Sequence, residues 1–165
     1  MDFTGYEPFD AGVTGPLRDA ARDVAEQHFD RLMAARATRV AALEALAARH
    51  GVELEPAAIG AWLGGVAPDA AADPRWSGVI ADVALWLGER IIATAPKVSW
   101  TLLTAPKKAT GYQRPVLIGF TRVDDDRYYV DIAHLVASWA ELAARRRPIK
   151  PDFLATIEAV TLRDA

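Results

Sequence analysis

The sequence predicts a single α+β domain with a helical N-terminal half, a small three-stranded antiparallel sheet and C-terminal helices. Apolar residues recur at helical spacing over much of residues 15–94, and from Val98 they alternate with a period of two. Helical spacing then returns near Ile132. Helices and strands are therefore segregated along the chain, which favours α+β architecture over βαβ winding. With 165 residues, the chain is long enough to bury one core.

Residues 1–13 contain glycines and a proline and are expected to form an irregular N-terminal arm, with the α+β domain spanning residues 14–165. Phe3, Tyr6 and Phe9 recur every third residue. We expect these rings to hold the arm against the domain, and a partner-binding peptide is the alternative.

The first half of the domain is predicted to be helical. The triplet Thr14-Gly15-Pro16 suits a helix start, because proline is tolerated in the first turn. Apolar spacing favours one long helix over about 15–50 rather than two, with Gly51 at its C-terminal cap. Pro56 suits the first turn of a short helix, and residues 67–76 are predicted to be a linker.

A helix that is apolar around most of its circumference is predicted from Gly78 to about Thr94, with Ser77 as its cap. Such a helix is usually a core element, so this is the expected central helix. It carries Glu89 and Arg90, a candidate buried polar site. A buried carboxylate needs a compensating partner, so a structural ion pair is the alternative to one half of an enzyme site.

Three β-prone segments follow, around Ser99–Thr104, Val116–Phe120 and Tyr128–Ile132. No crossover helix fits between them, so an antiparallel meander is the simplest connection. Residues 105–115 are then a hairpin connection.

Helical spacing returns over about Ile132–Arg146, with Asp131 at the N-terminal end, where a carboxylate suits the helix dipole. After Pro148 and Pro151, Asp152 is expected to cap a last short helix.

Several chemistries are excluded or disfavoured by the residues present. The chain has no cysteine, which excludes disulfides and thiolate ligands. The histidines lack metal-binding spacing, and no phosphate or dinucleotide motif occurs. Asp131 and His134 could touch across one helical turn but have no evident nucleophile beside them. We therefore expect no catalytic residue, no metal and no cofactor.

The N-terminus is acidic and lacks the apolar region of a signal peptide, and no apolar run approaches the length of a membrane span. We therefore expect a cytoplasmic protein without a membrane partner.

Charge is unevenly distributed along the chain. Residues 1–89 hold 7 Lys/Arg against 14 Asp/Glu, whereas residues 90–150 hold 11 against 5. An acidic first half is thus followed by a segment of charge +6. Such asymmetry bears on association rather than on fold. The candidate partner-binding residues are Lys107, Lys108, Tyr112, Arg114, Arg145, Arg146 and Arg147.

Three classes of partner suit this basic segment. Aromatic residues interleave with the cations of residues 97–150, as in some single-strand nucleic-acid binders, but the chain is acidic overall. An acidic protein partner fits at least as well, as does the acidic half of a second copy in a homodimer.

The stretch WLGERIIATAPKVSWTLL, followed by GYQRPVLIGF, carries a Leu-Gly-Glu helix, a Trp-bearing strand and a strand ending in Gly-Phe. It resembles small bacterial proteins from toxin–immunity gene neighbourhoods, over roughly residues 83–120. The resemblance implies a non-catalytic, cytoplasmic, partner-binding protein. We therefore expect an immunity or accessory protein that occludes its partner, with a small enzyme whose site is formed by Glu89 and the sheet as the alternative and nucleic-acid binding third.

Overall fold

The computed structural model describes residues 1–10, 12–13, 15–66, 68–147, 150 and 152–165. Some sequence-based expectations fall on positions outside these residues. They are the domain boundary at Thr14, the helix-breaking Pro148 and Pro151, and Ala67 of the expected linker.

The architecture is α+β, as predicted. The helices are α1 (Arg22–Arg49), α2 (Pro56–Gly64), α3 (Pro68–Ala71), α4 (Pro74–Thr94), α5 (Ile132–Ala144) and α6 (Phe153–Asp164), and the strands are β1 (Ser99–Leu102) and β2 (Pro115–Ile118). In the part of the chain that the structure describes, no helix is both long enough and apolar enough to cross a membrane.

The first long helix is continuous to Arg49, as predicted, but it begins later than residue 15. A single 3₁₀ turn, Leu17–Asp19, precedes it, and Ala20 and Ala21 are extended, with ψ of 161° and 149°. The side-chain amide of Gln113 explains the interruption. It donates hydrogen bonds to the carbonyls of Leu17 and Ala20 at 2.6 and 3.0 Å, so the Ala20 carbonyl is satisfied without the partner that an α-helix would give it.

The linker expected over residues 67–76 is mostly helical, and the expected cap Ser77 is wrong. α4 begins at Pro74, and the Asp73 carboxylate caps it by accepting a hydrogen bond from the Arg75 amide at 2.8 Å. The Asp-Pro step supplies both the cap and a pre-set φ. Ser77 lies inside the helix and donates to the Pro74 carbonyl at 2.9 Å.

The sheet has two strands rather than the predicted three. β1 and β2 pair antiparallel, with Trp100 opposite Leu117. The third segment makes one bridge, in which Leu117 and Val130 exchange two hydrogen bonds of 2.9 Å. Pairing stops there because Asp131 accepts a hydrogen bond from the His134 amide at 2.8 Å and so begins α5 at the next residue.

α4 is the central helix, as predicted. It packs against α1, α5 and α6, and Val79, Val83 and Leu87 are fully buried along it. The N-terminal arm is held as expected for two of its aromatic rings, since Phe3 and Tyr6 are buried in the same core.

Candidate functional site

The loop between β1 and β2 is a hairpin connection, as predicted, and it presents two lysines. Lys107 and Lys108 are exposed, whereas Tyr112 is half-buried. The base of the loop is fixed by Gln113, which has a left-handed φ of 57°. Its backbone amide donates a hydrogen bond to the Leu103 carbonyl at 2.6 Å. Lys107 and Lys108 therefore stand on a loop with a firmly held base.

Arg114 connects this loop to the N-terminal end of α5. Its Nε lies 3.3 Å from Oδ2 of Asp131, the residue that caps the helix. The Asp131 side chain is 8% exposed and that of Arg114 31%, so the pair is largely shielded from water. Arg114 thus serves as a structural anchor for the loop as well as a candidate contact residue.

The second predicted basic group lies at the opposite end of the same helix. Arg145, Arg146 and Arg147 are all exposed, and Arg146 leaves the helix with a φ of 52°. Arg145 pairs with Glu141 one turn earlier. At 1.5 Å per residue, the 13 residues of α5 separate this group from Arg114 by about 20 Å.

The candidate cations therefore form two basic groups rather than one contiguous patch. The first comprises Lys107, Lys108 and Arg114, and the second comprises Arg145, Arg146 and Arg147. Among the described residues, Lys107, Lys108, Arg146 and Arg147 make no ion pair, so their charge is available to a partner.

Between the basic groups runs an exposed surface of α5 that sequence reasoning missed. We call it the α5 face, and it comprises the exposed residues His134, Leu135, Glu141 and Leu142 and the half-buried Ser138. Leu135 and Leu142 are 36% and 47% exposed, and Val160 on α6 is the remaining large exposed hydrophobic of the described residues. The seven-residue spacing places both leucines on one side of the helix. Leu135 lies near the N-terminal end of α5, whose cap Asp131 contacts Arg114, and Leu142 lies near the C-terminal end, three residues before Arg145.

Glu89 and Arg90, the candidate buried polar site, lie at the rim of the core and face different neighbours. Glu89 accepts a hydrogen bond from the Trp100 indole at 2.8 Å and lies 3.4 Å from the Arg36 guanidinium. Arg90 lies 2.8 Å from Glu158 of α6. Their side chains are 36% and 34% exposed. The two groups thus make separate contacts rather than converging on one centre.

The buried polar cluster of this protein is instead formed by Tyr6, Arg39 and Asp82. Asp82 accepts hydrogen bonds from the Arg39 guanidinium, at 3.0 Å for Nε, and from the Tyr6 hydroxyl at 2.6 Å. Arg39 and Asp82 side chains are only 10% and 3% exposed. Burial, and then the hydrogen bond to Asp82, raise the pKa of the Tyr6 hydroxyl well above its ordinary value. The cluster fastens the N-terminal arm to α1 and α4.

A sequence signal for this cluster does exist. Asp82 interrupts the apolar residues of α4, and it lies seven residues before Glu89, the other carboxylate of that helix, on the same side. Both face α1, where Arg39 and Arg36 are their partners. What the sequence does not supply is the identity of the partners, since 43 residues separate Arg39 from Asp82.

The described residues include no group of three or more histidine, aspartate or glutamate side chains arranged to hold a metal ion. Comparison of the chain with protein-family models, with curated proteins and with solved structures finds no match.

Proposed function

We propose that this protein binds an acidic protein partner through the α5 face and the two basic groups beside it, and that it acts by occlusion, as immunity and accessory proteins do. The observation that carries the proposal is the pair of exposed leucines, Leu135 and Leu142, on one side of α5. Protein interfaces combine an apolar centre with a polar rim, and here arginines and lysines supply that rim.

The size of the surface supports a protein rather than a small ligand. The length of α5 puts Arg114 about 20 Å from the second basic group, a span that fits within a standard interface of about 800 Å² per partner, which is roughly 30 Å across. Lys107 and Lys108 at one end and Arg146 and Arg147 at the other would steer an acidic partner into register.

Two aromatic residues of the basic segment, Trp100 and Tyr128, are held by neighbouring side chains, which favours a protein partner over a nucleic acid. Stacking of bases requires aromatic faces along a continuous positive groove. The Trp100 indole instead bonds to Glu89, and the Tyr128 hydroxyl donates to Asp164 at 3.0 Å while its ring packs edge-on against Phe120.

The experiment takes the products of the genes that flank this one as candidate partners and measures their binding by calorimetry. We expect Leu135→Asp or Leu142→Asp to weaken binding about 30-fold each, the loss typical of an interface hot spot. The matched control is Val160→Asp, which places the same charge on an exposed hydrophobic position of α6 and should leave the affinity within about twofold.

The charged rim is tested separately. Changing Lys107 and Lys108 together to Glu should slow association and reduce the salt dependence of binding. Arg127→Glu, an exposed cation outside both basic groups, is the control. The proposal fails if the leucine variants bind as tightly as the Val160 variant, or if no flanking-gene product binds at all.

A further inference from the structure

A cleft of about 330 Å³ lies between α1, α4, the N-terminal arm and the start of β2, on the side of the molecule where Arg114 leaves its loop. We call it the α1–α4 cleft. Ala81 and Ala84 line it with small side chains, and the absence of a Cβ at Gly78 lets Pro8 of the arm pack closely against α4. Leu32, Leu85 and the Trp100 ring form apolar walls. Its volume is at the lower end of the range of small-molecule sites, about 300–1,000 Å³.

The polar groups at the cleft differ in how far they are already engaged. Asp82 is fully engaged, because both of its oxygens accept hydrogen bonds from Arg39 or Tyr6. Arg114 is not. Its Nε faces Asp131, but its two terminal nitrogens donate no hydrogen bond to any of the described residues. A guanidinium carries five N–H donors, so the terminal nitrogens of Arg114 can still donate hydrogen bonds to a ligand in the apolar cleft.

We propose that the α1–α4 cleft binds a small amphipathic carboxylate, with its flat apolar body between Leu85 and Trp100 and its carboxylate on the terminal nitrogens of Arg114. An apolar cleft with one placed donor group is the usual form of a small-molecule site. A guanidinium and a carboxylate form a bidentate pair of charge-assisted hydrogen bonds, which favours a ligand with a carboxylate over one with a neutral polar group. This inference shares only Arg114 with the proposed partner surface, because no residue of the α5 face lines the cleft.

The probe is 3-phenylpropanoate, with 3-phenylpropanamide as its neutral match. Binding is followed by ligand-observed NMR and by the indole N–H resonance of Trp100. We expect saturable binding of the carboxylate with a Kd of about 1 mM, as its size allows, and a shift of that indole resonance. The amide should bind about tenfold more weakly.

Two variants locate the probe. Ala81→Trp fills the cleft from an exposed position on α4 and should abolish binding, whereas Ala93→Trp, at an exposed position on the same helix outside the cleft, should leave it unchanged. Arg114→Gln should remove the preference for the carboxylate while the amide binds as before.

Three results would overturn the inference. The first is no saturable binding at a probe concentration of roughly ten times the expected Kd. The second is equal binding by the Ala81→Trp and Ala93→Trp proteins, and the third is an undiminished preference for the carboxylate over the amide in the Arg114→Gln protein. Because the tryptophan variants are both on the helix surface, neither depends on a substitution in the core.

Discussion

The buried ion pair between Arg39 and Asp82 is predicted to be a main determinant of stability, tested by Asp82→Asn. The substitution keeps the shape of the side chain but leaves the Arg39 charge without its counter-ion, and Arg39 is only 10% exposed. Removing one partner of such a pair costs about 3–5 kcal/mol of unfolding free energy. Because some water reaches Arg39, we expect about 3 kcal/mol, which lowers the melting temperature by about 6–12 °C in a protein of this size.

The assay is guanidinium denaturation followed by tryptophan fluorescence and circular dichroism. The control is Glu89→Gln, which breaks the pair with Arg36 on the same two helices. Those side chains are 36% and 41% exposed, so the cost should be about 0–1 kcal/mol. A loss below about 1 kcal/mol for Asp82→Asn, or equal losses for the two variants, would refute the reasoning.

Three further predictions concern titration and backbone packing. Because burial raises the pKa of Tyr6, the unfolded chain loses the phenolic proton first as pH rises past about 10, and the free energy of unfolding should fall there by up to about 1.4 kcal/mol per pH unit. Tyr6→Phe should reduce this loss, as measured by denaturation at pH 9 and pH 11. Gly88→Ala should destabilise by about 1–3 kcal/mol, although alanine is the better helix former, because a Cβ there overlaps the Trp100 ring; unchanged or higher stability would contradict this. Gly119→Ala should cost at least about 2 kcal/mol, since its φ is 92° and a Cβ overlaps the Lys97 carbonyl; a wild-type melting temperature would contradict this.

The elements that the sequence predicts well are those with a local signal. Pro56 marks the start of α2, Gly51 follows α1 with a left-handed φ of 67°, and Asp131 caps α5. In each case the residue acts on its own backbone or on that of a residue within one helical turn, so its neighbours along the chain suffice to predict the outcome.

The features that the sequence does not predict depend on contacts between distant segments. Gln113 delays the start of α1 through hydrogen bonds to residues more than 90 positions away, and Tyr6 reaches Asp82 across 76 positions. The third strand is lost because the α5 cap competes with strand pairing immediately after Val130. The local sequence around Val130 does not indicate whether strand pairing or the helix cap will prevail.

The candidate site was predicted only in part. The exposed cations were identified from charge alone, but their division into two groups depends on the length and placement of α5. Leu135 and Leu142 share the helical spacing of their buried neighbours, so the spacing of apolar residues alone does not distinguish these two exposed leucines from core residues. Their exposure becomes evident only once the opposite side of α5 is packed against α4.

The most direct test is oxidative footprinting of the two leucines with and without a flanking-gene product that binds this protein. We predict that the partner protects Leu135 and Leu142 from oxidation and leaves Val160 as reactive as in the free protein. Protection confined to residues outside α5, with both leucines unchanged, would contradict the proposed docking surface.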